Sequence, residues 1–305
     1  MSNKIWNYGT CLKKDLFSTL VSILQTGGWT LLTSDPENAP KVNFKTVGEL
    51  GDKTIYLQLI PFDGNVSSAT FDIRKTNYTD FVLHMGIGYD STTDTITTQG
   101  DPIIFSFISG RGPIAETRFG RMLDKEWSMH YWYYVDKDRI MFMSQPGLGA
   151  TGTYGTNTAF NFIGVPEEMY LKEHASPVYS GLVSANSHCN TSQNRVRIQE
   201  KPLNSIKLNG TSYCTTTLLM SLGASPNVDN NVELSEVYIT AATEGLRGKL
   251  GGFYLLPTGA ILDGDTVEVL HEGAKHTYLV KILGPHHGSS LSCFPSGTAL
   301  AIRIS

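Results

Sequence analysis

The alternation of side chains is clearest between Ser128 and Met143. Two apolar, aromatic-rich runs there flank the charged segment Asp136–Arg139, a pattern typical of a β-hairpin. Because strand side chains alternate between the faces of a sheet, one face carries Met129, Tyr131, Tyr133 and Val135, and the other carries His130, Trp132 and Tyr134. Neither face is polar. We therefore expect both to be covered, one by the chain's own core and the other by its helix or by a neighbouring subunit.

Helical periodicity predicts one helix, Thr10–Thr26. Its apolar residues recur at three- and four-residue spacings and form one stripe, which consists of Leu12, Leu16, Phe17, Leu20, Ile23 and Leu24. Thr10 is a residue type that caps a helix start, and Gly27-Gly28 supplies the residue type favoured after a helix end. We expect this helix to cover one face of an antiparallel sheet.

Most of the remaining chain alternates or runs apolar over short segments, as strands do. The second clearest hairpin spans Val267–Val280, with Glu272-Gly273 as its turn signal. The Thr-rich segment Ser91–Asp101 and the Gly-rich segment Ser144–Thr158 are predicted as loops, and Pro166–Leu171 as a helical turn. Strands and helices do not alternate, which argues against a parallel α/β sheet.

The pattern predicts a mainly β (α+β) protein of two domains. Residues 1–170 would form an N-terminal α+β domain, with the helix packed on an antiparallel sheet. Residues 171–305 would form a β-rich domain, either a β-sandwich or a barrel-like fold.

Composition narrows the function. Of the 305 residues, 40% are hydrophobic, enough for a sizeable core, but only 17% are charged, below the usual quarter. Such a surface suits a protein that is packed in an assembly. The net charge of −4 and the scattered Lys and Arg residues argue against nucleic acid as a partner. No apolar run is long enough to span a membrane or to resemble a signal peptide, so we expect synthesis in a cytoplasm.

Metal and redox sites have weak support. Four histidines lie within a short stretch, His271, His276, His286 and His287, and imidazole is a common zinc ligand. The register of His271 and His276 is undefined, however, and no fixed carboxylate or thiolate partner is evident, so we favour solvated loop histidines. The cysteines form no Cys-x-x-Cys pair, and we expect reduced, mostly buried thiols. We predict no cofactor.

Catalytic patterns are also missing. The chain has no Gly-x-Ser-x-Gly nucleophile motif, and its glycine-rich segments lack the Lys-Ser/Thr of a phosphate loop. Paired carboxylates suit glycoside hydrolysis, but no spacing here fixes two of them together. We predict that the chain is not an enzyme.

Several segments, in order, resemble virion structural proteins of tailed bacteriophages. A helix precedes Gly27-Gly28-Trp29, and Ile55–Asp63 follows with a Leu-x-Pro-x-Asp-like pattern. The hairpin Tyr131–Met143 and the strand Phe162–Pro166 complete the series, which covers about Cys11 to Glu168. The segment Ser296–Arg303 is similar to the closing strand of such proteins.

The resemblance implies a non-enzymatic neck, collar, tail or baseplate component, located in the virion and built into a symmetric oligomer with other virion proteins. Tyr131, Trp132, Tyr133 and Tyr134 are the candidate interface residues of such an assembly, although packing in the chain's own core is the favoured interpretation of these aromatic residues. We expect neither nucleic acid nor membrane as a partner. Two alternatives remain. One is a tail-tip module that binds host-surface glycan through Tyr or Trp, and the other is a carbohydrate-active or wall-degrading enzyme.

Overall fold

The structure is a computed structural model. It describes residues 5–52, 54–62, 80–86, 88–97, 103–106, 128–146, 158–165, 167–169, 183–186, 196–198, 212–215, 234–241, 245–257, 261–271, 273–282 and 298–304. Across these residues the fold is mainly β with one short α-helix and several antiparallel sheets, which confirms the predicted mainly β (α+β) class, whereas the predicted C-terminal β-sandwich or barrel-like fold stays a prediction. None of the described helices is long and apolar enough to cross a membrane.

The first part of the chain contains the helix. Strand β1 is Ile5–Leu12, a 3-10 turn covers Lys13–Asp15, and α1 is Leu16–Thr26. The strands up to the central hairpin are β2 Thr30–Leu31, β3 Val42–Thr46, β4 Ile55–Phe62, β5 Asp80–Gly86, β6 Gly88–Asp90, β7 Thr95–Thr97 and β8 Ile103–Ser106.

The remaining described elements are all strands. The predicted central hairpin is confirmed as β9 Ser128–Val135 and β10 Arg139–Pro146, followed by β11 Ala159–Gly164 and β12 Glu168–Met169. Then come β13 Val183–Asn186, β14 Val196–Ile198, β15 Ser212–Thr215, β16 Ser235–Ala241 and β17 Gly245–Pro257. The second predicted hairpin is confirmed as β18 Thr266–His271 and β19 Ala274–Ile282, and the last strand is β20 Thr298–Arg303.

Three large sheets make up the described part of the fold. The central sheet has the order β1-β9-β10-β11-β13-β14. A five-stranded sheet has the order β2-β3-β4-β5-β8, and a third sheet has the order β15-β16-β17-β20-β19-β18, with β12 also pairing with β17. The small hairpin β6-β7 forms a sheet of its own.

Strands β9, β10 and β11 of the central sheet are covered on both faces. On one face, Met129, Tyr133, Val135, Ile140, Phe142 and Ile163 pack with the apolar side of α1 and with the five-stranded sheet in the first core. On the other face, Met141, Met143, Phe160 and Phe162 pack against β16, β17 and β20 in the second core. A third core lies around Leu256, Tyr278 and Val280 on β17 and β19. The predicted alternation of the hairpin is therefore confirmed, and both of its covers come from the chain itself.

The predicted helix start at Thr10 is wrong. Residues Ile5–Leu12 form a strand, and each of them has a partner in β9, from Ile5 opposite Val135 to Leu12 opposite Ser128. Strand β9 thus pairs with β1 on one side and with β10 on the other. The helical spacing of Leu12 and Leu16 carried no information about the pairing with β1. The helix follows Asp15, which caps it without a side-chain hydrogen bond. Its end at Thr26 and the cap at Gly27 are as predicted.

Three smaller predictions also need correction. Within the predicted loop Ser144–Thr158, the first three residues, Ser144–Pro146, belong to strand β10 because they pair with β9. Within the predicted loop Ser91–Asp101, Thr95–Thr97 is strand β7, because it pairs with Gly88–Asp90 across a short turn. Within the predicted helical turn Pro166–Leu171, Glu168–Met169 is extended, because it pairs with Gly248 and Lys249 of β17.

The predicted domain boundary between residues 170 and 171 lies outside the described residues and stays a prediction. Two facts bear on it. Strands β13 and β14, which follow the boundary, extend the central sheet, and β12, which precedes it, joins the third sheet. The central sheet and the third sheet therefore each contain strands from both sides of the predicted boundary.

The second core should contribute strongly to stability. Phe162 is fully buried between the central and third sheets and lies beside Phe253, with ring centroids 6.0 Å apart. We expect Phe162→Ala to lower the free energy of unfolding by about 3–5 kcal/mol, because it removes buried area and leaves a cavity. Guanidinium denaturation measures the change. Leu270→Ala, at a side chain that is 76% exposed, is the control and should change it by less than about 0.5 kcal/mol. Similar losses in both variants would contradict the two-faced core.

Candidate functional site

The four aromatic residues of the predicted interface lie against the chain's own cores. Tyr133 is buried in the first core. Tyr131 packs on the same core, and the centre of the Tyr131 ring lies 6.0 Å from that of the Phe142 ring. Trp132 and Tyr134 pack on the second core. All four residues therefore pack against the chain's own cores, with Tyr133 buried and Tyr131, Trp132 and Tyr134 partly buried. A contact between these residues and another subunit stays a prediction.

The turn of the central hairpin is built around the carboxylate of Asp136, which is 2% exposed. Its Oδ1 accepts the backbone N–H groups of Asp138 and Arg139, each at 2.8 Å. Its Oδ2 accepts the Tyr134 hydroxyl at 2.8 Å and lies 4.0 Å from Arg139 Nε. This is the local side-chain bonding that favours Asp in turns. The buried carboxylate thus has three hydrogen-bond donors and one nearby cation, all from its own hairpin.

The same turn is held by distant segments. Trp29, just after α1, donates its indole N–H to the Asp136 carbonyl at 2.8 Å. Thr46, at the end of β3, donates its hydroxyl to the Lys137 carbonyl at 2.7 Å. The next loop adds a reciprocal pair, in which Lys137 N–H donates to Glu49 Oε1 at 3.1 Å and Glu49 N–H donates to Asp138 Oδ1 at 3.2 Å. The helix, the five-stranded sheet and the central sheet therefore meet at this turn.

A buried cation joins the central sheet to the third sheet. Lys281 on β19 is 4% exposed, and its Nζ lies 2.6 Å from Asp263 Oδ2 and 4.2 Å from the centre of the Trp132 ring. Asp263 Oδ1 also accepts the backbone N–H of Ile282 at 2.8 Å. Charge pairing and a cation–π contact together offset the loss of hydration of the ammonium group. The sequence pattern marked Trp132 but gave no indication of Lys281.

A second polar centre lies where hairpin β6-β7 meets the five-stranded sheet. Asp94, in the turn between β6 and β7, is the one described non-glycine residue with a positive φ, +48°, a conformation that Asp tolerates better than most residues. Its Oδ1 accepts the Tyr89 hydroxyl at 2.6 Å and the Asn43 side-chain amide at 2.8 Å. Asn43 is fully buried, and its Oδ1 accepts the Gln58 amide at 2.8 Å.

The Asp94 centre is an anchor for the hairpin. Thr33 adds longer contacts to both carboxylate oxygens, at 3.5 and 3.4 Å, and accepts the Asn43 backbone N–H at 2.9 Å. The lone pairs of Asp94 Oδ1 are thus used within the fold, so it is poorly placed to act as a general base. The sequence did not predict this centre. The only signal was the polar Asn43 between the apolar Val42 and Phe44 on a strand.

The outer margin of the central sheet is β1. Among the strands that the structure describes, β1 pairs with β9 alone. Tyr8 is 71% exposed, and its backbone N–H donates to the side-chain Oδ1 of its neighbour Asn7 at 2.8 Å. A Cβ on Gly9 would lie 2.5 Å from the Tyr131 hydroxyl, so glycine leaves room for Tyr131 to reach toward the sheet margin. This margin is the candidate assembly surface.

The histidine hypothesis finds little further support. His276 lies on β19 opposite Val269, and His271 ends β18 opposite Ala274, which puts the two at different positions along the hairpin. His286 and His287, together with the side chain of His271, lie outside the described residues. No group of three or more potential ligands from His, Cys, Asp or Glu occurs within the described part of the chain.

In comparisons with known proteins, no family model matches the chain and no curated protein matches it.

The Asp136 turn gives a direct test by substitution. We expect Asp136→Ala to lower the free energy of unfolding by about 2–5 kcal/mol, because two buried N–H groups and the Tyr134 hydroxyl lose their acceptor. Asp136→Asn is the matched control, since its side-chain oxygen still accepts the two N–H groups, and it should lose clearly less. Denaturation curves of both variants measure the difference. Equal losses would mean that the charge, and not the acceptor geometry, stabilises the turn.

The Asp94 centre predicts alkaline sensitivity. Burial, together with the hydrogen bond to the Asp94 carboxylate, raises the pKa of Tyr89 to about 12, whereas a free tyrosine titrates near pH 10. The folded state therefore resists forming the phenolate. The resulting stabilisation is complete below about pH 10 and is lost as the pH rises toward 12.

This dependence is measured by denaturation at several pH values between 8 and 11. Tyr89→Phe should show a shallower fall in stability than the wild-type chain in the upper part of this window. Tyr8→Phe, at an exposed tyrosine, is the control and should follow the wild-type curve. Parallel curves for the wild type and Tyr89→Phe would contradict the coupling of Tyr89 to Asp94.

Proposed function

We propose that the chain is a non-enzymatic structural component of a tailed-phage virion, in the neck, collar, tail or baseplate, and that it assembles with itself and with other virion proteins. The order of the segments from the helix to Phe162–Pro166 supports the virion class. The structural observation that carries the assembly role is the long, uncharged edge strand β1, in which Asn7, Tyr8 and Thr10 are exposed, since such strand edges pair readily with other chains.

The chemistry of the described polar centres favours a structural role. Asp136 uses its carboxylate to fold a turn, Asp94 to anchor a hairpin, and Asp263 to hold Lys281. In each centre the polar groups bond to one another and to backbone, an arrangement that stabilises a fold. A general acid or base must instead reach a substrate within hydrogen-bond distance.

The alternative of glycan binding through the hairpin aromatics has less support. The ammonium group of Lys281 lies over the Trp132 ring, and Tyr131 packs on the first core with its ring beside those of Tyr133 and Phe142. A sugar stacks on an aromatic face that is open to solvent. The contacts of these two residues therefore favour packing over ligand binding.

The proposal is tested on particles of the virus that encodes the chain. We expect mass spectrometry of gradient-purified virions to detect the chain in a fixed ratio to other structural proteins. Antibody labelling in electron micrographs should decorate one defined position on each particle, because a structural component occupies symmetric sites.

Labelling of virions with antibody that was preadsorbed on purified chain is the control and should give no decoration. A chain found only in the soluble lysate, and not in the purified virions, would contradict the proposal. Decoration confined to the tail tip, together with saturable binding of the chain on a glycan array, would favour the alternative.

A further inference from the structure

Strand β1 lacks the features that normally protect a sheet edge. Natural proteins block edges with charged residues, proline, bulges or short strands. The eight residues Ile5–Leu12 contain no charged residue and no proline, and they pair with β9 without a register shift. The other described edges are shorter. Strands β2, β8, β14 and β15 have two to four residues, and β18 has six and carries the ion pair Glu268–Lys275.

The hydrogen bond at Tyr8 shows which groups of β1 face outward. The Tyr8 N–H donates to the side-chain Oδ1 of Asn7 at 2.8 Å, from which we infer that it points away from β9. In an antiparallel ladder, successive residues direct their N–H and C=O groups alternately to the two neighbouring strands. Trp6, Tyr8, Thr10 and Leu12 therefore present their backbone groups at the open margin. The Asn7 side chain accepts one of these N–H groups, that of Tyr8, while the margin has no partner strand.

We propose that β1 pairs antiparallel with β1 of a second copy of this chain, about a two-fold axis at Gly9, and so joins two central sheets into one continuous sheet. Because the two-fold axis is perpendicular to the sheet, the same face of both copies lies on the same side of the joined sheet. Odd-numbered residues of one β1 therefore lie opposite odd-numbered residues of the other, and even-numbered residues lie opposite even-numbered ones. The pairing forms about eight backbone hydrogen bonds. Two kinds of residue pair, Trp6 with Leu12 and Tyr8 with Thr10, exchange two hydrogen bonds each, and the two-fold axis repeats both pairs.

The side chains of β1 complement themselves in this register. Trp6 lies opposite Leu12, an aromatic–aliphatic pair, and Tyr8 lies opposite Thr10, an aromatic–β-branched pair of the kind that stabilises sheets. At the axis Gly9 faces Gly9, and the space above them is occupied by Tyr131 of each copy, whose hydroxyl already lies over Gly9. The residues Trp6–Leu12 that pair in this register carry no charge, so no like charges meet between them. A charged partner would gain no ion pair from this edge, which favours a second copy.

This inference deepens the proposed function and rests on it, since it names the strand and the partner through which the chain assembles. Both are tested separately. A monomeric chain that is nevertheless found in virions would overturn the β1 pairing and leave the structural role. A β1-paired dimer that is absent from virions would overturn the structural role and leave the pairing.

Cysteine cross-linking tests the register in the full-length chain. With Gly9 at the axis, Asn7 of one copy lies opposite Cys11 of the other, so Asn7→Cys is expected to form a disulfide-linked dimer under mild oxidation. The reaction is run at alkaline pH because burial raises the pKa of the Cys11 thiol. Peptide mapping by mass spectrometry identifies the linked positions.

The matched control is Ile5→Cys, whose position faces Cys11 only if the axis lies at Tyr8. It is expected to yield little cross-linked dimer, as is the wild-type chain. A cross-link in the Ile5→Cys variant in place of the Asn7→Cys variant would overturn the proposed register. The absence of a cross-link in both variants would overturn the pairing.

A backbone substitution tests the pairing independently. Tyr8→Pro removes an N–H that faces away from β9, so it blocks a second strand while the ladder to β9 remains. We expect light scattering to give twice the chain mass for the wild type and for Tyr8→Phe, and the single chain mass for Tyr8→Pro. Circular dichroism and the thermal midpoint show whether the proline variant is folded. Folded dimers of Tyr8→Pro, or a monomeric wild type at high concentration, would overturn the proposal.

Discussion

The fold depends on covering two apolar faces of one strand pair. Strands β9 and β10 place Tyr133, Val135, Ile140 and Phe142 on one side and Met141 and Met143 on the other. Such a pair is stable in water only between two layers, because either face left open would expose a large apolar area. The N-terminal part of the chain supplies one layer with α1 and the five-stranded sheet, and the third sheet supplies the other. The order of the sheets thus follows from the composition of one hairpin.

Apolar packing does not fix the register of these layers, because apolar contacts are not directional. The register is fixed by polar groups at a few points. Asp136 sets the hairpin turn, and Trp29, Thr46 and Glu49 bond to that turn from the segments that follow α1 and β3. On the opposite face, Lys281 between Asp263 and Trp132 ties the third sheet to β9. Buried polar networks that are fully satisfied specify one arrangement among many apolar ones.

The sequence predicted features that short segments determine by themselves. The two hairpins were found because a polar turn separates two apolar runs, and the end of α1 was found because Gly27 and Gly28 follow a periodic stripe. The start of the helix was wrong because Ile5–Leu12 gains its partner, β9, from a segment more than a hundred residues later. Asp94 with Asn43, and Lys281 with Trp132, could not be predicted for the same reason. Their spacing in the sequence carries no signal, and their chemistry exists only after the sheets have packed.

The packing also limits how the chain can associate with others. Both faces of β9, β10 and β11 are covered by the chain's own layers, so a partner cannot stack on these strands without displacing a core. The backbone groups at a sheet margin are different, because they bond only to water or to nearby side chains and remain available to pair with another strand. In β1 one such donor bonds to the neighbouring Asn7 side chain, a contact that a strand partner replaces without loss of hydrogen bonding. A fold that uses its aromatic residues internally can therefore still assemble, through backbone pairing at an edge that carries no charge.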